Sequence, residues 1–382
     1  MGYQPVEVGL STVELWRPQL IKHRSFVGLD VHARTVEGCV LDADSGVITH
    51  RKLPAATPGI VGWVAALPAP QIATYEAGPT GFGLARQLKA AGITCLVAAP
   101  SKLQRPSGDR VKTDARDAEH LTKLLQLDQI VAVHVPTIEQ ETARDLVRAR
   151  EDTREVLMSA RHRLSKLLLR HGLVYDGGSA WSRPHDRWLR EHRTSGTAAF
   201  TTAFDAYYES TVQAVARRDG LDKAIEEMAA NSEFTPLVTR LGCLRGIAPL
   251  TGFSLAVEIP QWDRFTGNTI GAFLGLVPSE HSSGQSRFQG SITKTGNLHV
   301  RRLLVEAAWH HRRDYRPTTR SVMQPRWDRA PVAARLRGQA GNVRLHRQWV
   351  AFTARKKEPV VANVAIAREL AGWCWSLAVM DD

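Results

Sequence analysis

The chain has 382 residues, 43% hydrophobic and 23% charged, a globular balance that excludes disorder and suits two or three domains. No run of ~18 apolar residues occurs, which excludes a membrane-spanning helix, and the first 25 residues lack the apolar stretch of a signal peptide. Lys+Arg 50 against Asp+Glu 38 leaves +12, and four scattered cysteines (Cys39, Cys95, Cys243, Cys374) exclude a disulfide framework or paired-cysteine zinc site, in keeping with a reducing cytoplasm.

Residues 26–31 (FVGLDV) predict a buried strand with one acid, Asp30, inside it. Val36–Leu41 and Val47–Leu53 flank the turn cluster Asp42-Ala43-Asp44-Ser45-Gly46, which predicts a hairpin. Thr57-Pro58 starts a helix. A strand at Gln71–Glu76 follows, then a helix from about Thr80 to Ala91, stopped by Gly92, and a strand at Ile93–Ala98. Beyond the Pro/Ser/Gly loop Pro100–Gly108, a helix runs from about Asp114 to Leu127. The order β-β-β-α-β-α-β-α predicts an α/β unit, a mixed sheet with helices packed on it.

From 137 to 172, Leu146, Leu157, Ala160, Leu164, Leu167 and Leu168 recur at helical spacing among dense Arg and Glu, predicting a long amphipathic helix. A loop holding Gly177-Gly178 and Pro184 separates it from a second helical stretch, about Thr197–Ala230, so that the pair reads as a helical hairpin, a coiled-coil oligomerisation arm. From Pro236 onward the pattern is mainly helical, interrupted by a glycine- and serine-rich segment at Gly284–Gly296.

Charge is uneven. Between Arg301 and Glu358 stand 15 basic and 4 acidic residues, against 34 and 31 in residues 1–300. Arginine dominates this stretch and Trp309, Tyr315, Trp327 and Trp349 are interleaved, the footprint of a polyanion binder, with nucleic acid the leading partner. Arg301, Arg302, Arg312, Arg313, Lys356 and Lys357 are the candidate phosphate contacts; the plainer alternative is a solvated basic face.

Three constellations bear on chemistry. Asp30, Glu76, Asp114 and Asp117 lie where this topology converges strand ends and a helix start, and hard carboxylate oxygens suit Mg²⁺ or Mn²⁺. Such ions flank a scissile phosphate about 4 Å apart. Singly each acid has a plainer role: Asp114 can cap its helix and Glu76 can close a strand. The second is Pro278-Ser279-Glu280-His281-Ser282-Ser283-Gly284, followed by Arg287, Lys294 and Gly296. A serine before glycine can approach phosphorus closely, and the cations offset charge on a phosphorane, although Ser-Ser-Gly is also a common turn. The third, Leu244-Arg245-Gly246-Ile247-Ala248-Pro249-Leu250-Thr251, reads as a helix–hairpin–helix that holds a DNA phosphate, or as a plain helical turn.

GLDVHARTVEGCVLD, YEAGPTGFGLARQL, KTDARDAEHLTKLL, LRGIAPLTG, FLGLVPSEHSSGQSRFQGSITKTGNLHVRRLLVEAAW and VANVAIARELAGWCW occur in the order seen in DEDD-type insertion-sequence transposases, which the chain resembles from about Phe26 to Trp375. These are relatives of pilin-type DNA invertases, and some are guided by an element-encoded bridge RNA. Beyond an N-terminal extension over 1–25, the resemblance implies a RuvC-like, RNase H-type mixed-sheet domain over 26–135 and a helical coiled-coil domain over 136–235. A mainly helical C-terminal transposase domain would follow over 236–382. It implies that Asp30, Glu76, Asp114 and Asp117 are the metal-holding acidic tetrad and that Ser283, or next Ser282, is the nucleophile. It further implies double-stranded donor and target DNA, a structured guide RNA, and a homodimer or homotetramer whose subunits share the active site, in the cytoplasm at the nucleoid. The departures are the residues before Phe26, Ala248 in the hairpin turn, and an Arg-rich insert at about Arg312–Arg347.

The leading expectation is therefore a metal-assisted serine recombinase that conserves the broken bond as a phosphoserine link. The first rival is an RNase H-fold nuclease or junction resolvase with water as nucleophile. The second is an actin-like kinase, whose phosphate loop Asp176-Gly177-Gly178-Ser179 faintly matches but should follow a strand. The third is a non-catalytic nucleic-acid binder.

Overall fold

The alternating apolar runs before residue 136 form a five-stranded mixed sheet. The computed structural model describes residues 23–103, 113–283, 286–316 and 324–380, so residues 1–22 of the expected extension lie outside it. The chain divides between Pro136 and Thr137 into two units.

In the first unit the elements are β1 (Ser25–Val31), β2 (Thr35–Asp42), β3 (Ile48–Pro54), α1 (Thr57–Ala65), β4 (Gln71–Glu76), α2 (Gly83–Ala90), β5 (Thr94–Ala98) and, after a short 3-10 turn, α3 (Asp114–Gln126). The strand order is β3-β2-β1-β4-β5. Strands β1, β2 and β3 pair antiparallel, and β4 and β5 join parallel through the crossover helices. The β2–β3 reversal is set by Asp42, whose Oδ1 accepts from the N–H groups of Asp44 and Ser45 at 3.0 Å each.

Central strand β1 buries Val27 and Leu29 completely on one face. On the other face Gly28 lets α3 come down onto the sheet. Its N–H donates to the Thr122 hydroxyl (2.9 Å), which in turn faces the carbonyls of Ala118 and Cys39 at 2.9 and 3.1 Å. A methyl at Gly28 would sit 2.2 Å from the Ala118 carbonyl oxygen, a backbone atom that cannot yield. Gly28→Ala is therefore expected to destabilise the protein by about 3 kcal/mol, read as a lowered melting temperature.

The second unit holds α4 (Ile138–Arg170), α5 (Arg183–Glu191), α6 (Ala198–Ala230), α7 (Thr235–Leu241), α8 (Pro249–Glu258), α9 (Thr269–Phe273), β6 (Pro278–Ser283), β7 (Ser286–Ile292), α10 (Leu298–Ala308), α11 (Gln324–Trp327), α12 (Val332–Ala354) and α13 (Pro359–Ala378). Helices α4 and α6 run antiparallel: Ala143 and Val147 pack with Ile225 and Ala229, whereas Leu164 and Leu167 pack with Phe200 and Phe204. Each begins on a threonine cap, Thr137 accepting from the Gln140 N–H and Thr197 from the Phe200 N–H. Between the two clusters Arg150 forks onto Asp222 at 2.7 and 3.4 Å. The later helices share one core through Leu244, Ile247, Leu304, Leu345, Ile366 and Leu370.

Two expectations change. Pro184 does not mark a loop: it sits in the first turn of α5, where its missing N–H costs nothing, behind the cap Ser182. The glycine- and serine-rich segment is not a bare interruption but the hairpin β6–β7. Residues 176–179 follow a helix end, not a strand, which removes the ground for the kinase reading. Among the described residues no helix is long and apolar enough to cross a membrane.

Candidate metal centre and serine hairpin

Strand alternation places Asp30 on the same face as Gly28, the face that α3 covers. Its side chain is only 19% exposed. Thr113 caps α3 by accepting from the Arg116 N–H at 3.4 Å, so the cap role is taken and Asp114 is left as the first helical residue. Asp114 and Asp117, one turn apart, lie in the positive end of the helix dipole. The His32 imidazole bridges the two elements, with Nε2 at 3.2 Å from Asp30 Oδ2 and 3.8 Å from Asp114 Oδ1. Ligand atoms of Asp30, His32 and Asp114 all lie within 4.8 Å of one another, forming a possible metal site.

The electrostatics fit a cation. Burial holds the Asp30 carboxyl above the usual carboxylate range; His32 pulls it back, and the charges of Asp114 and Asp117 push it further up. Two carboxylates beside one partly buried acid make a like-charge cluster that a divalent ion relieves, and oxygen donors with one imidazole suit Mg²⁺ or Mn²⁺.

Glu76 is placed differently. It ends β4, one step beyond the last β1–β4 pair, Leu29↔Tyr75, so it stands at the strand end beside Asp30. Its side chain is exposed and outside the close trio. The reading by residue type missed His32. The signal was available: two residues beyond Asp30, strand alternation puts His32 on the same face. It also missed Glu37, the cross-strand partner of Asp30, which is 16% exposed and ion-paired to Lys52 at 3.6 Å.

In the second unit Ser283 ends β6, paired with Ser286 across the hairpin, and Ser282 is paired with Arg287. The side chains of residues 281–287, hence those of Ser282, Ser283 and Arg287, lie outside the described residues. The hairpin's base is well fixed. Thr293 N–H donates to the Val277 carbonyl (2.9 Å) and Lys294 N–H to the Gly275 carbonyl (3.1 Å). Asn297 caps α10 by accepting from the Val300 N–H at 3.0 Å, and its amide donates to Glu258 at 2.8 Å. Glu258, 2% exposed, also receives both arms of Arg148 (3.0 and 3.2 Å), with Arg144 at 3.7 Å. Gly246 has φ +84° in the turn before α8, and a side chain there would strike the Ala307 carbonyl at 2.5 Å. That turn packs on α10 as part of the fold.

The candidate phosphate contacts divide. Lys294, Arg312, Arg313, Lys356 and Lys357 are exposed. Arg301 is 7% exposed and donates to the carbonyls of Leu274 (3.0 Å) and Thr295 (2.7 Å). Arg302 is held by Glu151 and Glu306. Both guanidinium groups are committed to the fold, which differs from the sequence expectation. Arg301→Met is expected to cost about 3 kcal/mol, since it strands two carbonyls, and to leave the salt dependence of DNA binding unaltered once folded protein is compared. A flattened salt slope with unchanged melting temperature would instead restore Arg301 as a phosphate contact.

Comparison with known proteins agrees in both units. Residues 238–324 match the Transposase IS116/IS110/IS902 family, and residues 27–172 match a second family described as Transposase, of the DEDD IS110 type. The chain is 35% identical over 305 residues to the putative transposase y4qE of Sinorhizobium fredii, spanning 80% of this chain and 74% of that one. It is 28% identical over 346 residues to the transposase for insertion sequence element IS1533 of Leptospira borgpetersenii, spanning 88% and 99%. It is 22% identical over 294 residues to the transposase for IS1111A of Coxiella burnetii, spanning 76% and 79%.

Proposed function

Because the chain belongs to the IS116/IS110/IS902 family of insertion-sequence transposases, enzymes of phosphoryl transfer on DNA, we propose that it is a site-specific recombinase using a metal-assisted serine. The observation that carries the reading is the convergence of Asp30, His32 and Asp114, with Asp117 one turn on, over the sheet face covered by α3. The strand order β3-β2-β1-β4-β5, three antiparallel strands followed by two parallel ones, supports an RNase H-like, RuvC-like assignment. Asp30, His32 and Asp114, with Asp117 one turn on, would hold the ion, and Glu76 at the neighbouring strand end would stand at its margin. A bound Mg²⁺ or Mn²⁺ supplies Lewis acidity at a phosphate oxygen.

The chain's own residues do the rest. His32 fixes the orientation of Asp30 through its 3.2 Å contact. Ser283 Oγ forms a bond to phosphorus as one sugar oxygen leaves, conserving the ester as a phosphoserine link that a second sugar hydroxyl reopens. Exposed Arg312, Arg313, Lys356 and Lys357 neutralise backbone phosphates of donor and target duplexes and of a structured guide RNA. The working assembly is a homodimer or homotetramer at the nucleoid.

The test supplies purified protein with end-labelled donor and target duplexes and Mg²⁺. A protein–DNA adduct that survives denaturation is expected, together with a discrete RNA in the purified protein. Hydrolysed ends without adduct would identify water as the nucleophile and leave the nuclease reading standing, which the acidic cluster by itself supports equally.

A further inference from the structure

The end of the arm formed by the last turns of α4 and by α5 carries charge that the site above does not use. Helix α5 buries His185 and Leu189 (5% and 2% exposed) and packs with Leu164, Phe200 and Phe204. Its opposite face repeats arginine at i, i+4 and i+7, as exposed Arg183, Arg187 and Arg190. A second exposed row, Arg163, Lys166 and Arg170, follows i, i+3 and i+7 on α4. Arg190 is engaged by Asp186 and Tyr208. The other five cations have no ion pair or hydrogen bond among the described residues. From Arg161 to Arg193 the chain has 8 basic and 3 acidic residues. Nearer the core the pattern reverses, and Arg148, Arg150 and Arg302 are each paired with a carboxylate.

A second observation is conformational. Trp181, just before α5, has φ +63°, in the left-handed region that a tryptophan occupies only under strain of about 1 kcal/mol or more. It is held there because its N–H donates to His185 Nδ1 at 2.9 Å and Arg161 lies 5.0 Å over its ring. Those two contacts, which hold the strained backbone in place, fix the entry of the basic helix. The aromatic rings are already occupied: Trp188 is stacked by His185 and by His192, the latter 4.3 Å away. Trp188, stacked on both sides, offers no ring face to an unstacked base, which favours backbone contact over looped RNA there.

We propose that this end of the arm binds the phosphate backbone of duplex DNA flanking the reacting segment, without regard to sequence. Resting on the transposase assignment, it extends the footprint. Lys166 lies about 27 Å along α4 from Arg148, whose fork onto Glu258 adjoins the Asn297 cap of α10, and that length corresponds to some eight base pairs of duplex.

The experiment uses the full chain with Arg163, Lys166, Arg183 and Arg187 all changed to Gln. Binding to 20- and 60-base-pair duplexes of arbitrary sequence is measured between 50 and 250 mM salt. The salt slope on the long duplex is expected to flatten by about 3 relative to the parent, with little change on the short one. A companion variant carrying Arg163→Lys, Arg183→Lys and Arg187→Lys keeps the slope, which separates lost charge from lost folding. An unchanged slope on the long duplex overturns the proposal, and so does a loss confined to a hairpin RNA of matched length. Failure of the recombinase mechanism is read separately, as absence of the adduct on short substrates, which this binding measurement does not involve.

Discussion

Replacing Asp30 with asparagine is expected to lower strand cleavage by about three orders of magnitude or more while raising the melting temperature of the metal-free protein. The two effects have one source. Burial raises the Asp30 carboxyl pKa, and Asp114 and Asp117 raise it further against the pull of His32. A folded-state pKa above the unfolded value means that the native chain holds the proton more tightly. The group's favourable contribution is therefore full below the ordinary carboxylate value and is lost as pH rises through the raised one. At neutral pH the ionised Asp30 is a net cost, and the neutral amide removes it, for a gain of about 1 kcal/mol. Added Mg²⁺ should invert the ranking, because an ion at a hundredfold its Kd stabilises the parent by about 2.7 kcal/mol and the variant by much less. A variant that melts lower than the parent without metal, or that still cleaves, would remove Asp30 from the centre.

Ser283→Ala should abolish the covalent adduct and depress recombination by about four orders of magnitude or more. Ser282→Ala provides the comparison. The two residues are neighbours on β6, Ser283 paired with Ser286 and Ser282 with Arg287. Loss of adduct with Ser283→Ala and its retention within about tenfold with Ser282→Ala fit the assignment. The reverse pattern transfers the role to Ser282, and an adduct in both variants ends the serine mechanism.

Much of this architecture was legible in the residues because the signals were local. The helix expected over Thr197–Ala230 is Ala198–Ala230, and those expected near 137 and 114 begin at Ile138 and Asp114, each behind a threonine whose hydroxyl takes an orphan N–H. Strand β1 differs from its expected span by one residue, since an apolar run that is interrupted once reads clearly. What was missed depended on partners far away in sequence. Pro184 looked like a breaker, and only the cap at Ser182 makes it a helix start. Arg301 looked like a phosphate contact because composition does not reveal orientation. Val300, Leu304 and Ala308 mark the buried side of α10, and Arg301 lies beside it, against two carbonyls supplied by residues 274 and 295. The acidic cluster was legible as a set of acids. Its histidine was not legible as part of that set because His32 joins it only through its 3.2 Å approach to Asp30 in the fold, and the peripheral position of Glu76 required the register of β4 against β1.

Glu258 has a mechanical consequence. One carboxylate is grasped by Arg148 from the long helix α4 and by the amide N–H of Asn297, whose Oδ1 accepts from the Val300 N–H and so caps α10 just beyond the serine hairpin. Any torque delivered at the far end of α4 arrives at this fulcrum. The helix cannot tilt there without either stretching its fork onto Glu258 or dragging the Asn297 cap, so a load on the arm, were it to bind duplex as proposed, would be felt at the base of the serine hairpin.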